Sequence, residues 1–177
     1  MSSENQIKKT SGKLSPSKGM VLKKHVGSIH IEADLSLLER KCINILLYKA
    51  YDRLLSQRSH SIAIKELMSL LDFNSNNVMY LKSSLQKLGQ TSITWDIFND
   101  EAKRVEWGFT TFLASGRLTS STFTYEFSDA FAEKLSNPEV FARIHLGIQR
   151  SFTSKASLIL YEMCQRFVNV NTTGWIE

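Results

Sequence analysis

Asn76, Tyr80, Lys82, Ser83, Gln86 and Lys87 place amides, hydroxyls and ammonium groups along one stretch, NVMYLKSSLQKLGQ and the residue before it. Side chains of these types read and hold nucleic acid. Asn and Gln match adenine edges, Lys matches guanine edges or phosphates, and Ser and Tyr reach phosphate oxygens. The residues needed for other chemistries are poorly arranged. The four histidines, His25, His30, His60 and His145, are scattered with no His-hydrophobic-His pair, so a metal-assisted tyrosine nickase is not supported. Asp96, Asp100 and Glu101 gather around a turn, where carboxylates are well hydrated, and no phosphate-cradling G-x-x-x-x-G-K-[ST] loop occurs. No enzyme activity, metal or cofactor is expected.

To present such a face, the stretch has to be a helix lying on a core. Val78, Leu81, Leu85 and Leu88 recur three, four and three residues apart, which is one apolar stripe at 100° per residue. Asn74, Ser75 and Asn76 are all suitable N-caps and Gly89 a suitable terminator. Just before it, KELMSLLDF reads as a short helix ending near Asp72. Two helices joined by a tight turn, the second polar on its outer side, make a helix-turn-helix that can enter a major groove. An ordinary solvated helix face is the plainer alternative.

The flanking segments extend the pattern. DLSLLERKCINILLYKAYDRLL carries an S-x-x-E capping box at Ser36 and Glu39, then Leu38, Ile43, Leu46, Leu47, Ala50, Tyr51 and Leu54 at helical spacing. Ile62 and Ile64 alternate as a short strand. SITWDIF and VEWGFTTFL alternate through Ile93, Trp95, Ile97 and Val105, Trp107, Phe109, giving a hairpin with Lys103 and Arg104 near its tip. This hairpin is expected to be a wing beside the recognition helix. TFTYEF is expected to close its sheet through Phe123, Tyr125 and Phe127. Ser128 caps a short helix stopped at Asn137 and Pro138, and SKASLILYEMCQRFVNV is a long helix burying Ile159, Leu160, Met163, Cys164 and Phe167. The fold class is α+β, a winged helix with long flanking N- and C-terminal helices.

Charge locates a further region. The 177 residues carry a net charge of +5, and the first 25, with six Lys and one Glu, account for all of it. Residues 1–27 are expected to be a basic disordered tail and 28–177 one winged-helix domain, since the tail lacks apolar periodicity to offset the entropy of ordering. Within the body, 57–90 holds four basic and two acidic residues, 91–139 four and eight, and 140–176 four and one. An acidic middle between two basic stretches can form a positive face on a neutral body. The longest apolar run, Ile45 to Tyr48, is far below the roughly 20 residues a bilayer requires, so no membrane span is expected. Cys42 and Cys164 lie in apolar helical patterns and read as buried thiols of a cytoplasmic protein.

LLERKCINILLYKAYD, NVMYLKSSLQKL with TWDIF, WGFTTFLA and NPEVFARIHLGIQRSFTSKASLILYEMC resemble the N-terminal winged-helix domain of theta-type plasmid replication initiators, the Rep proteins that bind iteron repeats. The similarity runs from about residue 30 to 175. It implies a plasmid DNA replication initiation protein that binds double-stranded DNA at iterons, helps open the origin, and engages the host initiator ATPase and replicative helicase. It also implies a homodimer acting on an operator for autorepression. In the residue-by-residue match, Asn76, Tyr80, Lys82, Ser83, Gln86 and Lys87 fall on the recognition helix and Lys103 and Arg104 on the wing. Gln149, Arg150, Ser154 and Lys155 would clamp phosphates, aided by the helix N-terminus near Ser154. The family carries two winged-helix domains in tandem, of which this sequence is expected to hold the first alone. A dimeric transcription regulator, a shortened regulatory form and a protein-interaction module are the alternatives.

Overall fold

The computed structural model describes residues 19–25, 34–73, 77–99, 104–136 and 141–168; of His25, residues 95–99 and 104–106, and Lys134 the backbone alone is described. Helix α1, Leu37–Ala50, starts at the expected capping box. The Ser36 N–H donates to Glu39 Oε2 at 2.7 Å and the Glu39 N–H donates back to Ser36 Oγ at 3.3 Å. It is buried nearly all round, with Cys42, Ile45, Leu46 and Ala50 fully covered, so it forms the axis on which the other elements pack.

Strand β2, Ser59–Ala63, leads directly into α2, Ile64–Leu71, and then α3, Val78–Gln90. Ile64, expected in the strand, instead opens the helix. Asp72 ends α2 in the left-handed conformation at φ +57°, which a short polar side chain tolerates, and Phe73 N–H closes the turn on Met68 O at 2.9 Å. Asn77 caps α3, its side chain accepting from Tyr80 N–H at 3.0 Å; the expected caps Asn74, Ser75 and Asn76 lie outside the described residues.

Two hairpins follow, and they correct the expected wing. Strands β3, Ser92–Asn99, and β4, Arg104–Thr111, pair with each other as a separate two-stranded ribbon. Strands β5, Leu113–Leu118, and β6, Thr122–Phe127, join β2 in a three-stranded sheet ordered β2-β6-β5. Pairing with the strand that precedes the helix-turn-helix is what makes a hairpin the wing of this fold, so the wing is β5–β6 and β3–β4 is an insertion ahead of it. TFTYEF therefore closes the sheet of β2, not that of the first hairpin. Its Phe123, Tyr125 and Phe127 are buried as expected, in a ladder with ring centroids 5.6 and 5.5 Å apart, and the Tyr125 hydroxyl donates to Leu46 O at 2.7 Å. Trp107 and Phe109 of the insertion face solvent, 64% and 65% exposed.

Part of the segment expected to be a basic tail is a strand. Val21–His25 forms β1, paired antiparallel with β7, Phe141–His145, from Val21↔His145 to His25↔Phe141. The remainder of the expected tail lies outside the described residues. Between the hairpins and β7, Ser128 accepts from Phe131 N–H at 3.3 Å and so opens α4, Asp129–Ser136. Helices α5, Leu146–Ser151, and α6, Lys155–Arg166, complete the chain's described elements.

Candidate nucleic-acid interface

Helix α3 owes its orientation to its stripe. Leu81, Leu85 and Leu88 are 0%, 4% and 0% exposed, and complete burial of such a side chain contributes about 1.5–3 kcal/mol. Val78, expected in that stripe, is 40% exposed because the first turn rises off the core. Seated this way, α3 turns Met79, Tyr80, Lys82, Ser83, Gln86 and Lys87 to solvent. The Tyr80 ring is steadied by stacking on Phe73, centroids 6.2 Å apart. Ser83 Oγ–H donates inward to Tyr80 O at 2.9 Å, which leaves its lone pairs facing outward.

Between α3 and β5 runs a groove of about 440 Å³, rimmed by Lys82, Gln86 and Ser115 and floored by Leu85, Leu113 and Phe123. Gly116 keeps the wing tight: a Cβ there would stand 3.1 Å from the Phe123 ring. At the wing's end the Thr119 N–H donates to Thr122 O at 2.9 Å and the Thr122 N–H to Thr119 Oγ1 at 3.1 Å, which fixes the turn. Arg117, two residues before that turn, is exposed and makes no ion pair among the described residues; Lys82 is in the same state. Sequence reasoning missed Arg117 because it took the earlier hairpin as the wing. Of the residues assigned to that earlier hairpin, Lys103 lies outside the described residues, as does the side chain of Arg104.

A second group forms where α5 and α6 meet α1. Arg150 pairs with Asp72, Lys155 Nζ stands 2.9 Å from Asp34 Oδ1, and Lys87 Nζ stands 3.5 Å from Glu39 Oε2. Hydrogen bonding and charge from Lys155, then the charge of Lys87, hold the Asp34 carboxyl below its usual range. The end of α3 and the start of α6 therefore meet at one corner. Ser154 caps α6, its hydroxyl accepting from Ser157 N–H at 3.5 Å. Lys41 Nζ donates to the carbonyls of Arg150 and Phe152 at 2.9 and 2.7 Å, clamping the α5–α6 turn.

Gln149 corrects its expected role. It is 1% exposed, accepts from Asn44 Nδ2 at 2.6 Å and donates to Lys41 O at 3.3 Å, so no phosphate can reach it. It belongs to a buried polar centre around Glu162, itself fully buried. The Glu162 carboxylate receives Lys24 Nζ at 3.2 and 3.1 Å, Arg40 at 3.1 Å and Asn44 Nδ2 at 2.6 Å. Burial alone would raise the Glu162 pKa, but Lys24, Asn44 and Arg40 together outweigh it and hold it low. For Lys24 desolvation outweighs the attraction of Glu162, and its pKa is lowered.

That centre also explains why the expected core of α6 is rotated. The helix buries Leu158 and Glu162, whereas Leu160 is 62% exposed, Cys164 is exposed, and Ile159, Met163 and Phe167 are partly covered. Cys42 is buried as expected, and the resulting loss of solvation raises its thiol pKa. Among the described residues no group of His, Cys, Asp and Glu could hold a metal ion, and no helix is long and apolar enough to cross a membrane.

Residues 21–165 match a protein-family model described as initiator replication protein, WH1. The chain belongs to the initiator replication protein family. Its WH1 domain begins at β1 and includes all but the last residue of α6, so the family boundary agrees with the strand found in the basic tail. Both the resemblance read from the sequence and the winged-helix fold class agree with this membership. No curated protein matches the chain.

Proposed function

We propose that this WH1 domain binds double-stranded DNA, with α3 in the major groove and the β5–β6 wing along the flanking backbone. The observation that carries the reading is the outward set of Tyr80, Lys82, Gln86 and Lys87 on a helix whose opposite stripe is anchored in the core, on a domain whose wing carries the exposed cation Arg117. Gln86 and Tyr80 would meet base edges and sugar-phosphate, while Lys82 at the groove rim and Arg117 on the wing would each reach the backbone. The corner of Arg150, Ser154 and Lys155 would extend the phosphate track. In keeping with its family, the protein would act in plasmid replication initiation in the cytoplasm, recognising iteron repeats and an operator and engaging a host initiator ATPase and helicase.

The test is fluorescence anisotropy with duplexes carrying direct repeats from the replicon's origin, across a salt series. Lys82→Ala with Arg117→Ala should weaken binding and reduce the salt slope by about two units, one per cation removed. An unchanged slope would overturn the reading. A homodimer is supported separately by Leu160, Cys164 and Val168, exposed at four-residue spacing along and just beyond α6. Loss of a dimer in Leu160→Asp, measured by sedimentation, tests that part.

A further inference from the structure

The cations on the proposed DNA side fall into two electrostatic states. Lys82 and Arg117 have no carboxylate partner among the described residues, whereas Lys87, Arg150 and Lys155 are held by Glu39, Asp72 and Asp34. Two of those carboxylates lie open to solvent, although Asp72 also lends its charge to Lys41. The Asp34 side chain is 96% exposed, and that of Asp72 is 52% exposed on a backbone already fixed by its own turn. Glu39 differs, since its carboxylate also caps α1.

We infer that Asp34 and Asp72 are specificity-determining masks, holding Lys155 and Arg150 against indiscriminate phosphate binding until a correctly seated duplex displaces them. The inference rests on the DNA reading above. A cation paired with a carboxylate brings no net charge to a passing duplex, and the carboxylate repels the approaching phosphate. An exposed pair is weak, so it yields to a phosphate held at short range. Such a phosphate is presented once α3 has fixed the register, because Lys87 and Lys155 share the Asp34 corner. Random DNA, touching Lys82 and Arg117 alone, leaves the masks closed. The consequence is lower affinity for the wrong sequence without equal loss for the right one.

The experiment compares wild type, Asp34→Asn, Asp72→Asn and the double variant on a labelled random-sequence duplex and on a duplex carrying the origin repeats. Both changes are isosteric, and Asn accepts the left-handed backbone at position 72. Glu133→Gln on α4, exposed and without an ion pair among the described residues, makes the same charge change elsewhere and serves as the control.

Each mask removed should tighten random-duplex binding about five-fold at low salt and steepen its salt slope by about one unit. The origin duplex should gain less, so discrimination narrows, and Glu133→Gln should do neither. Equal gains from Glu133→Gln would overturn the masks in favour of bulk charge. Unchanged binding in both Asn variants, while Arg150→Ala and Lys155→Ala weaken binding, would overturn the masks and leave the DNA reading standing. Failure of the wild type to retain either duplex at low salt would remove both.

Discussion

Helices α3 and α6 are similar in length and opposite in logic. The first buries three leucines and shows amides, hydroxyls and ammonium groups to solvent. The second buries a glutamate beside one leucine and leaves Leu160 and Cys164 in the open. Apolar burial holds α3 without regard to what lies on its outer face, so that face is free to vary without loss of the fold. An ionic centre holds α6, and the geometry there is stricter: Glu162 must meet Lys24 from β1 and Arg40 and Asn44 from α1 together. The contrast separates a helix adapted for display from one adapted for joining distant parts of the chain.

The hardest blow to that contrast is Glu162→Ala. It leaves Lys24 and Arg40 buried without their counter-charge and should cost about 3–5 kcal/mol in urea denaturation. A loss below 1 kcal/mol would mean that α6 is held by its partly covered apolar residues instead. Replacing Lys24, Arg40 and Glu162 together by apolar residues of similar volume should recover most of the stability, since it removes the charges along with their partner.

Acid should weaken the domain in two stages. Burial, then the nearby charge of Arg53, lowers the His60 pKa below its ordinary 6.5, so the unfolded chain binds the proton more readily and stability falls as pH drops through that value. Glu162, held below its ordinary 4.5, stabilises the fold above that pH and loses its contribution as pH falls further toward its folded value. Urea midpoints measured from pH 7 downward should decline first gently and then steeply, and Glu162→Gln should abolish the second stage. The smallest expected effect is that of Leu160→Ser, within about 0.5 kcal/mol of wild-type stability in the isolated monomer. A larger loss would show that this exposed side of α6 is covered by the same chain.

What the sequence disclosed follows the same division. The capping box of Ser36 and Glu39 and the leucines of α3 were legible because helical period and apolar character agree there. Strand β1 was not, because Leu22 and Lys24 share its inward face, and a lysine in a lysine-rich tail reads as solvated. Its partner strand lies more than a hundred residues away, beyond any local pattern. Helix α6 was found but rotated, since Glu162 inside and Leu160 outside invert the rule used to orient it. The wing was misassigned for another reason: β3 and β4 alternate while LASGRL of β5 does not, and pairing with β2 is what identifies the wing. Gln149 shows the limit of residue type, because its amide serves the interior as well as it would serve a phosphate. Arg117 follows from the wing and was lost with it.

The pairing of β1 with β7, closed by the reach of Lys24 to Glu162, has a consequence for biosynthesis. Strand β1 leaves the ribosome more than a hundred residues ahead of β7 and Glu162, and waits for both to emerge before it can be satisfied. A nascent chain interrupted before residue 141 would retain an unmatched strand and two cations lacking their anion, features that a protease or chaperone can sense.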